Sequence, residues 1–153
     1  MLNNLTLRPA EEKDLPDIIR LFIEDELGAS REVLSNPISP SYQQAFQDIQ
    51  EDKNQALWVV VYKGHVIGTY HLTTLPSLSF KGSRRLNLEN IHVDQRFQGQ
   101  GVGTWMINKA IAFGHEKNCK IIQLTTNKKR LPAKTFYEKL GFVATHEGMK
   151  LYL

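Results

Sequence analysis

The stretch Val93-Asp94-Gln95-Arg96-Phe97-Gln98-Gly99-Gln100-Gly101-Val102-Gly103-Thr104 constrains the fold more than any other part of the chain. A β-rich run ends at Val93, three alternating glycines follow, and an apolar helical stripe of Val102, Trp105, Met106, Ala110 and Phe113 begins at once. Glycines let a backbone turn sharply and approach a ligand with no side chain in the way. The first N–H groups of the helix have no intrahelical acceptor, and the helix dipole adds roughly half a positive charge there, which suits a phosphate or pyrophosphate. Two common versions of such a turn do not fit. A dinucleotide fingerprint, counted from Gly99, would need glycine at Thr104, and a P-loop would need lysine before its Ser or Thr, where Gly103 stands. The spacing alone leaves an anion site and a plain strand-to-helix turn both open.

The rest of the chain reads as alternating elements. Leu5–Arg8 forms a short first strand, and Asp14 is a plausible N-cap for a helix carrying Leu15, Ile18, Ile19, Phe22 and Ile23. Residues 28–40 read as a loop and 42–49 as a second short helix. Residues 56–62 and 65–73 flank Lys63-Gly64 as a hairpin. Residues 75–84 form a loop, and a strand covers about 85–93. In that strand Leu86 and Leu88 share one phase, but Ile91 and Val93 have the other. One extra residue, a β-bulge near Glu89-Asn90, restores the pattern, and bulges often lie beside active sites. After the glycine turn and its helix come a strand at 120–126, a helix at 131–140 stopped by Gly141, and two last strands at 142–145 and 149–153. The order indicates a mixed α/β sheet.

With 153 residues the chain suits one domain, 1–153, with a core that needs no staples. A net charge of +3 is too mild to imply nucleic-acid binding by itself. Cys119 is the only cysteine, so an internal disulfide and a cysteine-rich metal site are excluded. No leader or membrane-spanning run stands out, which makes the cytoplasm the default location. Basic residues gather at Lys81, Arg84 and Arg85 and again at Lys128, Lys129 and Arg130.

The glycine turn resembles the coenzyme A pyrophosphate loop of the GNAT superfamily of N-acetyltransferases, Q/R-x-x-G-x-G/A, here Gln98, Gly101 and Gly103. Leu88-Glu89-Asn90-Ile91-His92-Val93 looks like that family's splayed fourth strand. Thr126-Asn127 and Phe136-Tyr137-Glu138-Lys139-Leu140-Gly141-Phe142 look like its next strand end and helix. The resemblance implies an α/β fold with a mixed, mostly antiparallel central sheet flanked by helices and a splayed central strand. It implies acetyl-CoA as co-substrate and transfer of acetyl to an amine; no metal is expected, because His115 and His146 are too scattered for a site. By position, the backbone of Ile91 and Val93, with His92 between them, lines the pantetheine arm. Gln98, Gly99, Gln100, Gly101, Val102, Gly103 and Thr104 hold the pyrophosphate. Asn127 touches the pantetheine or acetyl end, Phe136 joins the cofactor-binding set, and Tyr137 matches the tyrosine that commonly protonates the departing thiolate. Gln95 stands where many members have proline. Partial likenesses to glucosamine-6-phosphate and aminoalkylphosphonate N-acetyltransferases share one theme, a small amine carrying a phosphorus anion.

The chemistry sets its own demands. A primary amine has a pKa of about 10, so roughly one molecule in a thousand is neutral at pH 7, and only that form attacks a thioester. Glu89, at the inferred bulge, is the candidate general base, against the plainer reading of an exposed strand glutamate. Tyr137 lies one step around from the stripe Ala133, Phe136 and Leu140, where a hydroxyl can project into a cleft. His71 and His92 are weighed as relays and left out of the catalytic pair Glu89 and Tyr137. Cys119 reads as packing, so transfer is direct, without an acyl-enzyme. The expected partner is a small-molecule amine, with no nucleic acid or membrane involved and with homodimerisation left open. A peptide or protein amine is the alternative acceptor, and a non-catalytic acyl-CoA sensor the alternative class.

Overall fold

The computed structural model describes residues 1–153. Two compact units make up the chain, residues 1–123 and 124–153. Strands β1 (Leu5–Pro9), β2 (Gln55–Tyr62), β3 (His65–Leu75), β4 (Arg84–Val93) and β5 (Cys119–Leu124) form one sheet in that order, all in the first unit except the last residue of β5. The pairs β1–β2, β2–β3 and β3–β4 are antiparallel. Helices α1 (Leu15–Ile23), α2 (Glu26–Ala29) and α3 (Pro40–Glu51) precede β2, and α4 (Val102–Glu116) links β4 to β5.

Each face of the sheet has its own cover, so β3 is buried without a break from Val66 to Tyr70. One face carries Val59, which packs with Leu15, Ile18 and Leu21 of α1 and Phe46 of α3, with Leu57 partly buried against the same cluster. The other face carries Leu72, Leu86 and Leu88, all buried, and receives α4 through Met106, Ile107 and Ala110. Gly68 shows how tightly α4 approaches: a Cβ there would stand 3.1 Å from Met106 Sδ and 3.2 Å from the His92 carbonyl. Burying side chains of this size contributes about 1.5–3 kcal/mol each, which is what holds the sheet between its two layers.

The bulge expected near Glu89-Asn90 is present. The β3–β4 register runs Thr69↔His92 and then His71↔Glu89, so Asn90 and Ile91 stand against the single residue Tyr70. Asn90 takes φ 51°, the left-handed region that asparagine tolerates better than most residues. Asp14 does not cap α1 with its side chain. Its carboxylate instead accepts both Arg8 guanidinium nitrogens, at 2.6 and 2.8 Å, and the Glu11 amide at 2.8 Å. The loop 75–84 contains a single turn, Ser79–Gly82, in which Phe80 and Lys81 are wound left-handed.

The second unit contains α5 (Leu131–Lys139), stopped at Gly141 with φ 93°. The two strands expected at 142–145 and 149–153 do not form. Their alternation is strand-like, but a strand exists only through a neighbour that satisfies its backbone, and Val143, Met149, Leu151 and Tyr152 are all exposed.

Candidate active site

The glycine turn is built in three steps. Asp94, 1% exposed, ends β4 and accepts from Arg96 N at 2.9 Å, Arg96 Nε at 3.0 Å and Arg96 Nη2 at 2.7 Å, and from Arg20 Nη1 at 3.1 Å. These donors hold its carboxyl down at about 2, with the Arg96 hydrogen bonds the leading cause. A short 3-10 turn, Gln95–Phe97, follows. The chain then reverses through Gly99 at φ 72° and Gly101 at φ 85°, a conformation costing a side-chain-bearing residue about 1–2 kcal/mol. Gly101 caps α4, whose first ladder bond runs from Trp105 N to Gly101 O at 3.0 Å. The N–H groups of Val102, Gly103 and Thr104 therefore open the helix with no intrahelical acceptor.

The two exposed glutamines of the turn bond backbone carbonyls just upstream. Gln98 Nε2 donates to the Val93 carbonyl at 3.0 Å, and Gln100 Nε2 to the Arg96 carbonyl at 2.9 Å. Their amides brace the loop, leaving backbone to face a ligand. Val102 is buried, whereas Gly103 and Thr104 are half-buried. A Cβ at Gly99 would meet nothing within 4 Å, so the turn is open at that residue. That geometry fits a pyrophosphate: consecutive backbone donors at the positive end of a four-turn helix with free space before them.

Upstream, the bulge places Glu89 and Asn90 at the surface. Glu89 Oε1 accepts from Asn87 Nδ2 at 2.9 Å. Ile91, His92 and Val93 are half-buried, and the His92 ring lies 5.1 Å from that of Phe22. Around Glu89 the face of β2, β3 and β4 carries a polar strip that sequence reading had no means to assemble: Gln55, His71, Thr73 and Asn87. His71 Nε2 lies 2.6 Å from Gln55 Oε1, and Thr73 Oγ1 donates to the same oxygen at 2.8 Å. The pairing of β2, β3 and β4 alone brings these residues into line, and no local pattern encodes it.

The basic cluster divides. Arg85 shares the phase of Asn87 and Glu89 and donates through Nη2 to Ser79 Oγ at 2.6 Å, with its guanidinium 5.4 Å from the Phe80 ring. Arg84 has the phase of buried Leu86 and Leu88, and donates to the Lys117 carbonyl at 3.3 Å. It lines a polar cavity of about 360 Å³ with Lys81, Ser83, Asn118 and Lys120, at the end of β4 opposite the glycine turn. Lys81 and Arg84 thus do not join Arg85 on the face that carries Glu89.

In the second unit, Tyr137 stacks edge-on with Phe136 at 5.1 Å and Phe142 at 5.8 Å. Burial pushes its phenol up from the ordinary value, with Arg130 acting in the opposite sense. Asn127 Oδ1 accepts from Lys129 N at 2.9 Å, which shapes the turn leading to α5. Cys119 is buried and its thiol pushed up by that burial, the wrong direction for a nucleophile. No group of three or more His, Cys, Asp or Glu side chains is placed to hold a metal ion, and no helix is long and apolar enough to cross a membrane.

Comparison with known proteins gives a consistent picture. The sequence profile of the acetyltransferase (GNAT) family matches residues 16–142. The crystal structure of a transcriptional regulator from Bacillus halodurans C-125 superposes with a TM-score of 0.94 at 38% identity, covering 97% of this chain and 99% of that one. An acetyltransferase structure from Trypanosoma brucei gives 0.76 at 28% identity, covering 97% and 99%. A curated glucosamine 6-phosphate N-acetyltransferase from Trypanosoma brucei brucei is 32% identical over 90 residues, 59% of each chain. Alignment with an N-acetyltransferase of Methanocaldococcus jannaschii, 22% identical, spans 93% of this chain and 62% of that protein.

Proposed function

The chain belongs to the acetyltransferase (GNAT) family, and from that premise we propose that it transfers acetyl from acetyl-CoA directly to the primary amine of a small molecule. The observation that carries this reading is the glycine turn, with its outward backbone donors, at the end of a strand bulged at Glu89-Asn90. Backbone amides from Gly99 to Thr104 would hold the pyrophosphate, and Ile91, His92 and Val93 would line the pantetheine arm. Asn127 and Phe136 belong to the cofactor set by their place in the motif. Acetyl-CoA supplies an activated acyl group, a thioester. The protein's own residues must neutralise the amine and protonate the leaving thiolate.

Glu89 is the proposed base. Exposed beside Asn87, its carboxyl group would take the proton of the amine, directly or through water. Tyr137 is the proposed acid, on the strength of its motif position and of the burial that keeps its hydroxyl protonated. The acceptor we propose is anionic. Arg85 is the supporting residue: it lies on the face of Glu89, four residues or about 13 Å along β4, and its buried Nε has no hydrogen-bond partner. Arginine grips phosphate oxygens bidentately, so it orients as well as attracts. One relative is named for glucosamine 6-phosphate, which agrees with that chemistry.

The test is an acetyl-CoA consumption assay across glucosamine 6-phosphate, glucosamine, an aminoalkylphosphonate, a polyamine, free amino acids and a lysine peptide. Thiol release with the phosphorus-bearing amines is the expected result. Release with the lysine peptide alone would move the assignment to a protein acceptor. Binding of acetyl-CoA with no release would favour a sensor.

A further inference from the structure

Acetylating a primary ammonium removes two protons from one nitrogen. One must leave before attack to free the lone pair. The other leaves as the C–N bond forms and the nitrogen becomes strongly acidic. One of the two is regained by the thiolate, so that R–NH3+ and acetyl-CoA give the amide, CoA thiol and one proton to solvent. Glu89 accounts for a single acceptor, and the strip around it offers another.

His71 stands directly opposite Glu89 across β3 and β4, on the same sheet face. Its hydrogen bonds fix its tautomer. The Asp52 carboxylate can only accept, so the Gln55 amide turns Nε2 towards it, at 3.4 Å. Gln55 Oε1 therefore faces the other way, where Thr73 Oγ1 donates to it at 2.8 Å. The remaining short contact, 2.6 Å to His71 Nε2, requires that nitrogen to carry hydrogen. Nδ1 is then left with its lone pair in the plane of the ring. We infer that His71 is a second proton acceptor of the acetyl-transfer site, taking through Nδ1 the proton that the acceptor nitrogen sheds as the C–N bond forms. The inference rests on the amine-acetyltransferase reading above.

The electrostatics agree. His71 is half-buried, and burial lowers its pKa while Glu89 across the strands acts in the opposite sense. The ring is thus neutral at pH 7 and able to receive a proton. Asp52 reaches it only through Gln55, and Arg85 and His92 are the other basic side chains in phase with it on β4. The charged groups of α1 are Asp17 and Arg20, which pair with each other at 3.4 Å, and Arg20 also binds Asp94 and Glu24, the residue that follows the helix. Gln55 and Thr73 are positioning residues: Gln55 accepts from the imidazole, and Thr73 donates to the same Gln55 oxygen.

Two measurements test this. The first is the imidazole nitrogen NMR spectrum of the wild-type protein, which needs no acceptor. The expected result is a protonated Nε2 and an unprotonated Nδ1, with the ring charging below its ordinary 6.5. A ring protonated at Nδ1 would overturn the inference. The second is the pH profile of acetyl transfer to glucosamine 6-phosphate, or to the best amine of the panel above. His71→Gln places an amide near the Nε2 position and removes the titrating lone pair. It should lower kcat about a hundredfold, flatten the acid limb, and leave acetyl-CoA affinity within about twofold. Gln55→Glu should raise the His71 pKa and carry the acid limb upward by about one pH unit, a shift that a purely structural histidine would not produce. Wild-type protein that acetylates no amine removes the reading on which the inference rests. Active wild type with an unmoved profile in both variants removes the inference alone.

Discussion

Asp94, at the end of β4, accepts from Arg20 Nη1 of α1 across 3.1 Å, joining residues seventy-four positions apart. Arg20 also donates to Glu24 Oε1 at 2.8 Å, and Glu24 Oε2 accepts from Gln95 N at 2.9 Å. The turn ahead of the glycines is therefore fastened to the C-terminal end of α1 by charge-assisted bonds, the stronger kind.

This network gives a pH prediction with a definite sign. The Asp94 pKa is about 2 in the folded protein against an ordinary 3.8. Unfolded chains bind the proton first, so the Asp94 contribution is complete above about pH 4 and is lost as pH falls through the folded value. Its size is about 2 kcal/mol. Denaturant titrations of wild type and Asp94→Asn should differ by about that much at pH 7 and converge near pH 2. A constant difference across the range would mean that charge is not the cause.

Gly101→Asp should weaken acetyl-CoA binding while the protein stays folded. At φ 85° an aspartate is strained, but its Cβ would meet only Leu2, at 3.5 Å, an ordinary contact. The backbone cost of about 1–2 kcal/mol is tolerable. The carboxylate, however, sits among the donors proposed for the pyrophosphate and repels it. Calorimetry should show affinity reduced about tenfold or more, consistent with an unpaired charge facing a phosphate. Unchanged affinity would move the cofactor elsewhere.

Tyr137→Phe should lower turnover about a hundredfold with little change in acetyl-CoA affinity. The ring contacts with Phe136 and Phe142 persist in the variant, so only the hydroxyl is lost. Because the phenol is pushed above 10.0, wild-type activity should show no alkaline decline from this group in the neutral range. Turnover within about twofold of wild type would make Tyr137 a packing residue.

The two neighbouring arginines should separate. Arg85 faces the Glu89 side of the sheet, and Arg84 the α4 side. For a phosphorylated amine, Arg85→Ala should reduce kcat/KM about tenfold or more, while Arg84→Ala should stay near wild type. Added salt should weaken the preference for the phosphorylated amine over its neutral analogue. Equal effects of both variants would point to a diffuse basic field in place of a specific contact.

The sequence was most informative where one local rule governs. The phase change between Leu86-Leu88 and Ile91-Val93 announced the bulge, because side-chain period along a strand is fixed at two. The glycine turn announced itself through residues that need φ above zero. What stayed hidden depends on distant partners. Nothing near Asp94 signals that Arg20 will bind it, and the Gln55–His71–Thr73 strip exists only once three strands pair in register. The grouping of Arg84 with Arg85 misled for a related reason: neighbours along a strand face opposite sides of the sheet. The last two strands failed because alternation supplies a pattern but not a partner.

Direct acetyl transfer from acetyl-CoA to an amine can be followed atom by atom. Wild-type protein is mixed with acetyl-CoA labelled at the acetyl carbonyl and with glucosamine 6-phosphate, and the small molecules and intact protein are weighed by mass spectrometry over time. Labelled N-acetyl product should appear with one free CoA thiol for each product formed, and no acetyl should be found on the protein at any time, Cys119 included. Label accumulating on the protein before it appears in product would contradict direct transfer. Acetyl-CoA left intact with this amine and with every other member of the panel would contradict the assignment itself.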